Sequence, residues 1–284
     1  MIKTYHIFKR LFTIILTGIS LTTVMSIIAF SLAFDDEAKT LDTGSPLSLV
    51  LFIMTAFMIL MIARLAFKTR KLHFERIKKH TRLTSFCGFF AAVMALGAVI
   101  NDVVEIVVNK ADYTVIAYVH MALTALACVY FVIEALPRFI NRKWVVIPMF
   151  IRRTLSLGVI AWAIIGVFVI YFDGSGDVLS SSIIYNGKIL AYVAMALFFV
   201  FEAEREFAKP KYGMLIFSAL TTALIAFVLS GGLIFCLVFG TLELDQLGFN
   251  ILDHFFTASI GLFCISRVYS ILKTLRLIII NSDN

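Results

Sequence analysis

Residues 213–239 read GMLIFSALTTALIAFVLSGGLIFCLVF, with no charged side chain among them. Coiled as an α-helix at 1.5 Å per residue, the stretch is about 40 Å long, more than the roughly 30 Å hydrocarbon layer of a bilayer. A membrane-spanning strand would alternate apolar and polar residues, and this stretch does not. Residues 11–30, LFTIILTGISLTTVMSIIAF, have the same character. The chain as a whole is 61% hydrophobic and 15% charged, against about 45–50% and about 25% for a soluble domain. Working outward along the sequence gives eight apolar spans, at about 11–34, 47–67, 83–106, 113–136, 150–172, 183–203, 212–239 and 249–272. The predicted fold is all-α, a polytopic bundle of eight transmembrane helices, with the lipid bilayer as its main partner.

The net charge of +7 raises nucleic acid as a partner, but no soluble domain is long enough to shape a binding groove, so none is expected. The distribution of the charge is more informative. When the loops are dealt to alternate sides, all of the 25 Lys and Arg except Lys39, Lys110 and Lys188 fall on one side. The opposite loops are acidic, as in FDDEAKTLD at 34–42 and DGSGD at 173–177. The positive-inside rule then puts both termini in the cytoplasm, in a plasma or inner membrane. Ser31-Leu32-Ala33 could end a cleaved signal sequence. The length of the apolar stretch before it, and a matching segment in the second half, favour a retained span.

That match suggests two four-helix units, residues 1–143 and 144–284. Phe8-Lys9-Arg10-Leu11 opens the first span and Ile151-Arg152-Arg153-Thr154 the fifth. The fourth span has His120 followed by Thr124-Ala125, and the eighth has His254 followed by Thr257-Ala258. Units with four crossings share one orientation, which implies a pseudo-two-fold along the membrane normal. Stripes of small residues mark helix contacts in lipid. They occur at Thr84, Gly88, Ala91, Ala95 and Ala98 and at Ser218, Thr222, Ala226 and Ser230, and are expected to lie near that axis. Pro46, Pro137, Pro148 and Pro210 fall at span ends, which leaves Gly231-Gly232 as the position most open to unwinding.

Ionisable residues inside spans are candidates for function because each costs about 2.5–3.5 kcal/mol at mid-membrane. Asp102, Glu105, His120, Lys188, Asp253 and His254 all belong to the outer third and are predicted to form an outward-facing polar binding pocket. Ordinary interfacial residues reaching water would give the same pattern. A second set, Arg64, Glu134, Glu202 and Arg267, lies toward the cytoplasmic ends, where it could make ion pairs or a gate. Glu134 and Arg138 could equally pair along one helix. The basic loop at 68–82, KTRKLHFERIKKHTR, suits anionic lipid headgroups.

No P-loop, GxSxG or CxxC is present, and the four cysteines lie singly within apolar spans, so no catalytic residue, metal site or cofactor is predicted. Three functions remain: a small-solute or ion transporter or channel, a noncatalytic membrane sensor or assembly subunit acting with a protein partner or as a homo-oligomer, and an intramembrane enzyme acting on lipid. A transporter requires a polar path from His120 to Glu134 or Glu202, so a dry, packed centre counts against it. An enzyme requires a groove beside His120.

Overall fold

A computed structural model describes residues 2–35, 40–42, 44–70, 81–108, 114–139, 148–173, 183–207, 211–239 and 251–282. Eight of its helices are long and apolar enough to cross a membrane, so the chain is an integral membrane protein. They are α1 (Ile2–Leu32), α2 (Pro46–Thr69), α3 (Arg82–Val107), α4 (Val115–Phe139), α5 (Met149–Asp173), α6 (Ile183–Phe207), α7 (Tyr212–Val238) and α8 (Ile251–Ser282).

Local chemistry sets several of the ends. Ser45 accepts a hydrogen bond from Leu47 N–H at the start of α2, and Pro46 takes the first helical position, where its missing N–H is not needed. Thr81 caps α3 by accepting from Thr84 N–H at 3.2 Å. Two ends differ from the sequence expectation. α1 begins at Ile2 and α8 continues to Ser282, because a helix satisfies its own backbone and need not stop where the hydrocarbon does. α4 also runs through Pro137 to Phe139. Pro210 lies outside the described residues. After α1, two short strands, β1 (Phe34–Asp35) and β2 (Thr40–Leu41), pair antiparallel, an element too short for hydropathy to reveal.

Helices α3 to α8 pack in sequence order, and α8 returns to α3, so the six form a closed ring. α1 and α2 pack against each other and dock on α7 from outside the ring. Burial follows this plan: 67% of the α8 span is enclosed and only 17% of the α2 span, which makes α8 the core helix and α2 the one most open to lipid. Contacts of small residues let the helices approach. A Cβ on Gly213 would lie 2.8 Å from the Ala66 carbonyl, and one on Gly261 would lie 3.2 Å from the Ala226 Cβ. Polar groups also bind α3 to α8. Thr84 Oγ1 lies 2.8 Å from Ser270 Oγ, and Thr81 Oγ1 lies 3.1 Å from it.

The stripe on α3 faces α4 and α8, since Gly88 lies against Phe131 and Phe263. Ala226 of the α7 stripe lies against Gly261 of α8. α8 thus stands beside both stripes, where the sequence expectation placed an axis. Helices of the two sequence halves also pack on one another, α4 on α5, α3 on α8 and α2 on α7. The two-unit repeat rests on the sequence pattern alone.

Candidate functional site

The charged candidates lie at opposite ends of the ring. One end holds the C-terminal turns of α3 and the N-terminal turns of α4, α6 and α8. There Asp102 is within electrostatic reach of both Glu105 and Asp253. Lys188 is within reach of Asp253, His120 and His254. All six residues proposed for a binding pocket are therefore brought to one neighbourhood. Lys188 and His254 are buried, while Asp102, Glu105, His120 and Asp253 are half-buried. Three carboxylates face one ammonium and two imidazoles.

Aromatic side chains that the sequence reading did not single out wall this cluster. The His120 ring stacks on Trp162, with centroids 6.0 Å apart and planes at 22°, and meets Tyr192 edge-on at 5.7 Å. Trp162 also packs on Tyr192 and Phe256. A two-step relay fixes the pair of rings: Trp162 Nε1–H donates to Thr124 Oγ1 at 3.0 Å, and the Thr124 hydroxyl donates to the His120 carbonyl at 2.9 Å. His120 Nε2 is buried and makes no hydrogen bond among the described residues. A group left so forfeits about 1–3 kcal/mol of solvation, unless something outside the chain satisfies it.

The second histidine is held by a distortion of α7. Residues Phe227–Gly231 form a π turn, with α-helix on both sides. The expected unwinding at Gly231-Gly232 is therefore a bulge in a continuous helix. A π turn shifts the backbone ladder by one residue and loosens carbonyls from their usual partners. The Ser26 hydroxyl of α1 donates to one of them, on Val228. Ser230, the fourth residue of the turn, places its Oγ 3.3 Å from His254 Nδ1. Gly232 permits the close approach of α1, since a Cβ there would sit 2.9 Å from Phe30 and would also meet Ser26 Oγ.

At the basic end, Arg267 of α8 is 3% exposed. It bonds Glu134 of α4, and its Nε lies 3.0 Å from Glu202 Oε1 of α6. Three of the four residues predicted to pair do so, across three helices. Arg64 does not belong with them. It is exposed on α2, outside the ring, because the helix that carries it docks on α1 and α7. Glu134 takes the buried interhelical partner; the Arg138 side chain, the alternative partner along α4, lies outside the described residues. A small pocket of about 10 Å³, room for about one water, adjoins the pair and is lined by Glu134, Glu202, Arg152, Tyr130 and Ser156.

Between the ends the ring is filled by rings. Phe131 meets Phe256 at 6.0 Å, Phe263 at 5.2 Å and Phe199 at 6.1 Å, all nearly edge-on. Phe198 packs on Phe199 and Phe263. All five are buried. His254 and Arg267 are thirteen residues apart on one helix, about 20 Å, and this aromatic plug occupies the interval. A transport path from His120 to Glu134 would have to pass through it.

Among the described residues no group of three or more His, Cys, Asp or Glu is placed to hold a metal ion. No protein-family model, curated protein or solved structure matches the chain.

Proposed function

We propose that the protein is a noncatalytic membrane sensor that receives a cationic signal at its acidic end. The observation that carries this reading is the pairing of two charged clusters by one unbroken helix, α8, across a dry aromatic plug. The acidic end has more carboxylates than ammoniums, so cations collect there. Its rings add cation–π attraction for an organic ammonium. Ligand contact at Asp253 or His254 would move the first turns of α8, and the same rigid helix carries Arg267 at the far end. The α7 π turn supplies the second half of the coupling, because Ser230 links His254 to the backbone that Ser26 holds.

A transporter would have to open the plug in every cycle. A lipid-acting enzyme would need His120 exposed to substrate, but that ring stacks on Trp162, meets Tyr192 edge-on and has its Nε2 buried. Both readings fit this geometry less well than the sensor.

Trp162 touches His120 and gives an internal reporter. Titrating the reconstituted protein with sodium, methylammonium or tetramethylammonium chloride is expected to change Trp emission for at least one of them. Asp253→Asn is expected to weaken that response about tenfold or more. The same proteoliposomes are expected to carry no cation flux. Steady flux through the wild type, or emission indifferent to every cation tested, would discard the sensor reading.

In this reading the basic end faces the cytoplasm of a plasma or inner membrane, the arrangement favoured by the charge distribution. The loop at 68–82 then meets anionic headgroups; residues 71–80 of it lie outside the described residues. In a cysteine-free background, His73→Cys is expected to react with an impermeant maleimide only after the cells are opened, and Asn109→Cys in intact cells. The reverse pattern would invert the protein.

A further inference from the structure

At the basic end, α1 and α2 leave a crevice between them that neither the charged clusters nor the plug uses. It has a volume of about 90 Å³ and is lined by Ile7 and Phe8 of α1 and by Leu65, Lys68 and Thr69 of α2. The Thr69 hydroxyl is already engaged with the Leu65 carbonyl at 2.9 Å and the Ala66 carbonyl at 3.1 Å. What remains is an apolar wall, with the exposed Lys68 at its rim. Water occupies such apolar space poorly, and hydrocarbon fills it well.

The rim is strongly basic. Lys9 and Arg10 follow Phe8 on α1, Arg64 lies one turn before Lys68, and Arg70 follows it; all five are exposed. The Arg70 guanidinium rests 4.0 Å over the Phe67 ring, which turns it along the lipid-facing side of α2. Neither α1 nor α2 contains an Asp or Glu. The ion pairs among the described residues that bear on this end use Lys211 and Arg267, not these five side chains. An apolar slot below a basic rim, on the two helices outside the ring, one of them the span most open to the bilayer, matches one kind of molecule: an acyl chain below a phosphate.

We infer that the α1–α2 crevice is a binding site for one anionic phospholipid, with part of an acyl chain along Ile7, over the floor that Phe8 and Leu65 make, and its phosphate among Lys68, Lys9 and Arg10. The inference deepens the proposed contact of the basic end with anionic headgroups by moving it from the 68–82 loop to a built slot. A basic residue at a membrane surface contributes about 1 kcal/mol toward an anionic lipid, or about fivefold in affinity. The site also ties α1 to α2, which otherwise meet with little burial on the α2 side.

Native mass spectrometry of the full chain in detergent tests this, with phosphatidylglycerol and phosphatidylcholine of identical chains as probes. The wild type is expected to retain one phosphatidylglycerol at least about fivefold more tightly than phosphatidylcholine. Lys68→Gln is expected to reduce that preference about fivefold. Ile7→Trp, which fills the slot and leaves every charge in place, is expected to remove the bound lipid from a protein of unchanged helix content. Equal retention of the two lipids by the wild type would overturn both the headgroup contact and the site. A preference that survives both substitutions would overturn the site alone, because it would place the contact in the loop.

Discussion

Arg267→Ala is expected to be the most damaging single substitution in the chain, costing about 3–5 kcal/mol or preventing recovery of folded protein. The guanidinium hydrogen-bonds Glu134 and forms an ion pair with Glu202 at 3.0 Å, with 3% of its surface exposed. Alanine would leave two carboxylates facing each other in a space that water barely enters. Neither could reach solvent by stretching, as a lysine near a helix end can. Arg267→Lys is expected to recover only part of the loss, because one ammonium cannot hold two carboxylates through the separate Nε and Nη positions that arginine offers. The decisive comparison is the triple substitution of Glu134→Leu, Glu202→Leu and Arg267→Met. Replacing all the charges with apolar groups of similar volume is often neutral or stabilising, so this variant is expected to unfold near the wild-type midpoint. The readout is the thermal midpoint in detergent together with monodisperse recovery. An Arg267→Ala protein that unfolds with the wild type would mean that the buried ions contribute nothing to the fold.

The triple variant also separates stability from signalling. If the ions are only structural, the apolar version keeps the Trp162 response to cations and passes it through α8 unchanged. In the sensor reading the far end has lost the charges that would report the movement, while the near end still binds. Emission from Trp162 would survive, and a probe attached near Arg267 would fall silent.

The spans could be read from the sequence because hydrocarbon imposes a local rule, in which each crossing must be long, apolar and helical. The charge sets were partly legible for the same reason, since an ion inside a span stands out. Asp102, His120, Lys188 and Asp253 lie on four different helices, and their shared depth was enough to anticipate a common neighbourhood. Depth was not enough for Arg64, which lies at the level of Glu134 but on a helix outside the ring. The order of helices around a ring is a matter of packing, and apolar surface in lipid leaves little trace of which face meets which. The same limit hid Trp162, Tyr192 and Phe131. With 28 phenylalanines in the sequence, no single ring is conspicuous until its neighbours are known. Gly231-Gly232 marked the right place in α7, but the distortion is a π turn held by Ser26 and Ser230, and those bonds span distant parts of the chain.

Phe131→Ala is expected to have the second largest effect and to act on function as well as stability. Phe131 is fully buried and meets Tyr130, Phe199, Phe256 and Phe263, so its removal opens the middle of the plug. In water a Phe→Ala change in a core costs about 3–5 kcal/mol, part of it from transferring the ring out of solvent. The unfolded helix here still sits in lipid, so that part largely disappears and the cavity remains, at about 2–3 kcal/mol. The cavity would join the polar ends that the rings hold apart. Proteoliposomes containing Phe131→Ala are therefore expected to leak protons, while the wild type stays tight. Phe168→Ala is the control. Phe168 stacks on Phe172 on the lipid-exposed face of α5, and its loss should leave both the midpoint and the leak unchanged. If folded Phe131→Ala were as proton-tight as this control, the aromatic plug would not be the seal between the two ends.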